Sequence, residues 1–261
     1  MVKKSILVLT VLLLTSASVS SVLGQSNAGT GATLEPTMII DRPTAGMLHR
    51  GNYQVNANFF EEGGVLFGVS VGLLDRFNFG ISYGGTSILG KQKPRMNPYP
   101  GVNIKLRILE ESTVAPAVAI GFDWQGKGPY DENLKRYLVK SPGFYAVASQ
   151  NYAIVGNLSV HGGVNLSTEH GDGDKDMDAF LGAEKSVGKD ISVLAEYDFG
   201  LNDNSASAIG RDRGRGYLNV GLRWGWGKGL VLGVDMKDIL KNQRDISFGN
   251  RTIQIEYVGS F

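Results

Sequence analysis

Thr252-Ile253-Gln254-Ile255-Glu256-Tyr257-Val258-Gly259-Ser260-Phe261 closes the chain, and its alternation carries the reading of the fold. Successive side chains of a strand point to opposite sides. Ile253, Ile255, Tyr257, Gly259 and Phe261 therefore share one face, and Thr252, Gln254, Glu256, Val258 and Ser260 share the other. An apolar, aromatic-tipped face suits lipid, and a largely polar face suits a wet lumen, as in the closing strand of an outer-membrane barrel. A half-buried strand of a soluble sandwich would alternate in the same way, so the rest of the chain has to separate the two.

Eleven further segments alternate. They run near residues 52–59, 65–73, 77–83, 102–108, 117–124, 144–149, 157–166, 179–185, 191–198, 218–226 and 230–237. The segment at 179–185 has the weakest pattern, because Phe180 and Leu181 are both apolar and its faces could be reversed. With the terminal strand the count is twelve. Bacterial barrels have even strand numbers, short periplasmic turns and longer outer loops. Counting back from a periplasmic C-terminus puts the inner turns near 74–76, 109–112, 150–156, 187–190 and 227–229, all short. The outer connections fall near 61–64, 85–100, 125–142, 168–177, 199–215 and 239–250, and all but the first are long.

The same topology sorts the aromatics into two belts, as membrane interfaces require. Phe59, Tyr83, Trp124 and Tyr197 lie at outer strand ends, and Phe77, Trp224, Trp226, Tyr257 and Phe261 at inner ends. The predicted fold is all-β: one transmembrane, antiparallel, up-and-down barrel of about twelve strands in the outer membrane.

At the other end, Lys3 and Lys4 precede an apolar run from Ile6 to Leu14 and a small-residue stretch ending at Gly24. This is the pattern of a cleaved signal peptide, and the run is too short for a membrane-spanning helix. The domain reading is therefore a signal peptide at 1–24, a flexible periplasmic lead-in at 25–46 and a barrel at 47–261. A plug inserted in the lumen is the other reading of the lead-in. The chain has no cysteine, which excludes disulfides and thiolate metal sites. A net charge of +1 points to no nucleic-acid partner. Its 36 glycines, about twice the usual share of roughly 7%, sit singly within the alternating segments, where they relieve crowding.

No catalytic motif, cofactor site or metal site emerges, and the protein is read as non-enzymatic. Asn157, Ser159 and His161 share one strand face and supply the residue types of a hydrolase, but polar residues are also what a wet lumen requires. Asp172, Asp174, Asp176 and Asp178 resemble the start of a calcium loop, yet Met177 stands where glycine is needed, so a solvated acidic loop is expected. The Gly80–Gly85 stretch lacks the strand-to-helix context of a phosphate cradle.

The lumen is more informative. Its far wall is expected to carry Lys105, Arg107, Asp123, Glu184, Glu196, Asp198, Arg223, Asp235, Lys237 and Glu256. Arg223 is expected to be held between Glu196 and Asp235, with Gly221 and Gly225 leaving it room. Twelve strands lie between solidly packed lumens and open channels, so a structural network and a permeation path both stay open. Tyr257 and Phe261 are the candidate assembly signal, read by the barrel-assembly machinery, with outer-membrane lipid around them.

Pro43-Thr44-Ala45-Gly46-Met47, Gly68-Val69-Ser70-Val71-Gly72, Ser82-Tyr83-Gly84-Gly85, Ser141-Pro142-Gly143-Phe144-Tyr145-Ala146-Val147 and His161-Gly162-Gly163-Val164 resemble the YjbH-like group of outer-membrane barrels. The resemblance covers roughly Pro43 to Phe261. It implies a porin-like barrel associated with exopolysaccharide production or export, with polysaccharide or small solutes as partners and no catalytic motif to carry over. A membrane-embedded hydrolase and a purely structural or adhesive barrel are the rival functions.

Overall fold

The computed structural model describes residues 27–204, 214–243 and 250–261. The expected signal peptide at 1–24, and parts of the predicted outer connections at 199–215 and 239–250, lie outside the described residues.

The strands in chain order are β1 (Asn52–Phe60), β2 (Gly64–Leu74), β3 (Phe77–Thr86), β4 (Arg95–Met96), β5 (Gly101–Leu109), β6 (Ala117–Asp123), β7 (Lys127–Asp131), β8 (Arg136–Val139), β9 (Gly143–Ala153), β10 (Asn157–Leu166), β11 (Asp178–Ser186), β12 (Ile191–Asp198), β13 (Tyr217–Gly227), β14 (Leu230–Lys237) and β15 (Asn250–Ser260). Twelve of them form the wall. β1 pairs antiparallel with both β2 and β15, and every other wall strand pairs with its sequence neighbour in the wall. The sheet therefore closes on itself, which pairs backbone groups that would otherwise face lipid and removes the exposed edges of the wall. β4 adds a short strand to the outer end of β3, and β7–β8 form a separate hairpin within the connection from β6 to β9.

Burial follows the alternation. On β13, Asn219, Gly221 and Arg223 face inward and are buried, while Leu222, Trp224 and Trp226 are exposed on the outer face. Trp224 and Trp226 stack at 5.3 Å, and Tyr53 lies 6.1 Å from Tyr257 and 6.2 Å from Phe261, which builds the inner aromatic belt. The ambiguous strand, β11, turns Phe180 inward at 1% exposure and Leu181 outward at 54%. β9 runs past Ser149 to Ala153, so the inner turn is shorter than the sequence suggested.

The lead-in reading needs correction. Residues 27–48 do not trail into the periplasm: Thr30 and Gly31 donate to the carbonyls of the inner turn at Gly188 and Lys189, and the chain then enters the barrel, where Ile39, Ile40 and Ala45 join Ala117, Ala119, Tyr145, Val147, Phe180 and Leu194 of the wall in one apolar cluster. Leu34 and Leu48 form a second cluster with Val258. Small wall residues make this possible: a Cβ on Gly182 would come within 2.4 Å of the Ile39 side chain. A lumen of twelve strands with so many glycines has room for a chain, and burying the plug's apolar side chains against inward-facing apolar wall residues stabilises its insertion.

Candidate functional site

The charged wall residues hold the plug more than they hold one another. Glu196, 1% exposed, accepts the backbone N–H groups of Ile40 (3.0 Å), Asp41 (2.9 Å) and Arg42 (2.8 Å), and Asn219 Nδ2 donates to it at 2.9 Å. Arg42 reaches the outer half of the wall, donating through Nε to Asp198 at 2.6 Å and pairing through Nη2 with Asp198 and with Asp178 at 3.4 Å. A guanidinium fork suits two carboxylates at once. Lys105 Nζ donates to three plug carbonyls, those of Thr37 (2.8 Å), Thr44 (3.0 Å) and Gly46 (3.1 Å). Arg107 binds the Ala45 carbonyl at 2.6 Å, Glu110 at 3.0 Å and the plug's Glu35. Lys237 pairs with Asp41 at 2.6 Å, and Glu256 accepts from Asn27 at 2.6 Å.

Only part of the expected ladder forms. Arg223 pairs with Asp235 at 2.5 Å, and Thr252 also donates to Asp235, at 3.2 Å. Glu196 does not join them, because its oxygens are occupied by the plug backbone and Asn219. The space for Arg223 comes from Gly221 and from Gly233, the cross-strand partner of Arg223, where a Cβ would sit 3.1 Å and 2.9 Å from the guanidinium. Asp123 faces inward and accepts the N–H of Gln125 at 2.9 Å. Glu184 is buried on the inner part of β11. Tyr257 and Phe261 lie outside on the lipid-facing side, and the Phe261 N–H donates to the Gly51 carbonyl at 3.0 Å.

The outer mouth is covered by the β7–β8 hairpin. Arg136 binds Asp172 (2.6 Å) and Asp203 (2.5 Å), and Lys140 binds Asp172 (2.9 Å) and the carbonyls of Asn202 (2.7 Å) and Asp174 (3.2 Å). Glu169 accepts the N–H of Tyr137 at 2.9 Å and of Ser141 at 3.2 Å. The solvated acidic loop expected at 172–178 is therefore corrected. Asp172, Asp174 and Asp178 are buried, and Asp172 and Asp178 pair with cations of the hairpin and plug. Burial pushes the Asp172 carboxyl up, but hydrogen bonds and charge from Lys140 and Arg136 outweigh it and hold it below its ordinary value. Burial raises Glu169 and pushes the Tyr137 phenol up to about 12.

Free volume between the plug and the β1–β5 wall is about 90 Å³, and beneath the hairpin about 30 Å³. A larger cavity of about 550 Å³ lies at the inner end, between plug residues 27–36 and 45–49 and the wall near Arg107, Ser149, Ser159 and Glu184. The three residues with hydrolase chemistry do not converge there. Ser159 Oγ donates to Asn151 at 2.5 Å, and His161 Nδ1 meets Ser149 Oγ at 2.8 Å instead.

Sequence reasoning missed the plug's own anchors, Glu35, Asp41 and Arg42. The signal was present in Met38-Ile39-Ile40-Asp41-Arg42, since a solvated lead-in has no use for a compact apolar run beside a charge pair.

Comparison with known proteins agrees on architecture. A KdgM porin superposes with a TM-score of 0.50 at 12% identity, covering 80% of this chain and 99% of that one. A KdgM porin in complex with disordered oligogalacturonate gives 0.50 at 13%, with the same coverage. Omp33 of Acinetobacter baumannii gives 0.44 at 10%, covering 82% and 98%. No curated protein matches the sequence. The profile of the YjbH family, described as "Exopolysaccharide biosynthesis protein YbjH", matches residues 36–237, from the plug through β14. With more than half of its length matched by that profile and a closed twelve-stranded barrel beneath it, this outer-membrane protein belongs to the YjbH exopolysaccharide biosynthesis family.

Proposed function

We propose that the chain is a non-enzymatic outer-membrane passage for exopolysaccharide, closed at rest by residues 27–48 and opened when that segment leaves the lumen. The observation that carries this reading is the anchoring of the plug by hydrogen bonds through its backbone: three N–H groups on Glu196 and three carbonyls on Lys105. A wall that grips a neighbouring segment by backbone groups recognises a chain path, and the same donors and acceptors face the lumen once that path is empty. The KdgM porin with oligogalacturonate supports saccharide passage through a barrel of this architecture, and the family supports an exopolysaccharide role.

Planar-bilayer recording tests it. The full chain should be closed at low voltage, and tying the plug to the wall by a disulfide between cysteines at Ala45 and Ser149, whose side chains and backbone adjoin, should keep it closed under conditions that open the reduced form. A permanently conducting full chain would overturn the closed state. A reduced form that never conducts would favour a structural barrel. The hydrolase reading has one observation behind it, the Ser149–His161 contact. Ester or lipid hydrolysis by the full chain that disappears in Ser149→Ala would replace the passage reading.

A further inference from the structure

The inner cavity of about 550 Å³ is within the size range of small-molecule sites, roughly 300–1,000 Å³, and hydroxyl and amide side chains line part of it. Ser149, Ser159, Ser186, Asn151 and Asn157 line it with hydroxyls and amides, groups that both donate and accept. Its charged lining is lopsided. Glu35, Glu111 and Glu184 face a single cation, Arg107, which is already shared by Glu35 and Glu110. Three buried polar atoms on its lining residues, Asn27 Oδ1, His161 Nε2 and Arg107 Nε, have no hydrogen-bond partner among the described residues. Orphaned buried polar groups are rare enough to call for an explanation.

We propose that this cavity binds a short oligosaccharide segment that carries hydroxyl groups and no carboxylates. Sugar hydroxyls match a lining of serines and asparagines in both donor and acceptor capacity, and they can also pair with the orphaned atoms of Asn27, Arg107 and His161, which an apolar ligand would leave unpaired. The excess of glutamates sets the selectivity: a uronate placed among them meets like charges, and like-charge juxtaposition works against a wrong partner. The cavity opens at the periplasmic end, where a saccharide bound outward would first meet the barrel. The proposal deepens the passage reading by naming the class of saccharide, but binding here does not require that the barrel conduct.

Titration calorimetry on the full chain in detergent, with cellotriose and trigalacturonate as probes, decides it. Cellotriose should bind saturably, and trigalacturonate at least about tenfold more weakly. A Ser159→Val/Asn157→Leu double variant that keeps its heat-modifiable gel mobility should lose cellotriose binding. Glu35→Gln removes one of the two carboxylates on Arg107 and one negative charge from the lining, and should narrow the gap between the two trimers. Binding of neither trimer, tighter binding of trigalacturonate, or unchanged cellotriose binding in the folded double variant would each overturn the proposal. Bilayer recordings that fail to open would overturn the passage reading and leave this site standing.

Discussion

Arg42 and Arg223 are both buried lumen guanidiniums, yet their removal should be felt in different places. Arg42 joins the plug to Asp198 and Asp178, which are themselves buried. Breaking a buried pair by removing one partner typically costs about 3–5 kcal/mol, because a charge is left without compensation. In Arg42→Ala that penalty falls on the seated plug and is relieved when the plug leaves and water enters. The expected result is a rise in bilayer conductance together with new periplasmic protease cleavage within residues 36–48; no change in either would remove Arg42 as the main anchor. Arg223 instead ties β13 to Asp235 of β14, and among the described residues its hydrogen bond to the plug is to the Ile39 carbonyl at 3.4 Å. Arg223→Ala should lower the wall's resistance to unfolding by about 3 kcal/mol, the lower part of the buried-pair range, with conductance unchanged. Urea titration of heat-modifiable mobility beside bilayer recording separates the two variants.

The β7–β8 hairpin is an element held by charge, so its seating should depend on pH. Asp172 has its folded pKa depressed below the ordinary 3.8. Its contribution is therefore fully present above that value and fades as pH falls through the lower, folded value. Glu169 is shifted the other way by burial, so its protonation occurs first on acidification and relieves a buried charge. Hydrogen-exchange protection of residues 136–141 should persist at pH 5 and collapse only well below 3.8; loss near pH 6 would contradict the assignment. At the opposite end, β15 runs in register with β1 from Asn52↔Ser260 to Phe59↔Ile253 and completes the closure. Phe261 stacks on Tyr53 at its tip. Deleting Phe261 should lower outer-membrane yield at native expression, and unchanged insertion would count against an assembly role.

For the barrel as a whole, long and short connections predict the orientation. The turns at 75–76, 154–156, 187–190 and 228–229 lie at one end, and the hairpin, the 167–177 loop and residues 199–204 and 214–216 lie at the other. Cysteines introduced at the exposed Glu132 and Asn204 should be labelled by a membrane-impermeant reagent on intact cells. Labels that appear only after the outer membrane is opened would invert the topology. Packing and polarity then divide the lumen into a covered outer mouth, a gripped middle and an open inner cavity.

The wall was legible because a strand's period of two repeats locally: from Asn52 to Phe59, and from Ile253 to Phe261, each residue's face follows from its neighbours alone. Strand count, direction and the two aromatic belts come from the same short-range rule. The lumen was not legible in that way. Inward-facing charges announce only that they need partners, and whether Glu196 meets Arg223 or the backbone of Ile40 to Arg42, about 155 residues away in the chain, depends on what fills the closed barrel. The same holds for Phe180 and Leu181, whose facing depends on the apolar plug that Phe180 packs against. Local alternation dictates a surface with two sides; only closure of the sheet and insertion of the segment decide what the inner side holds.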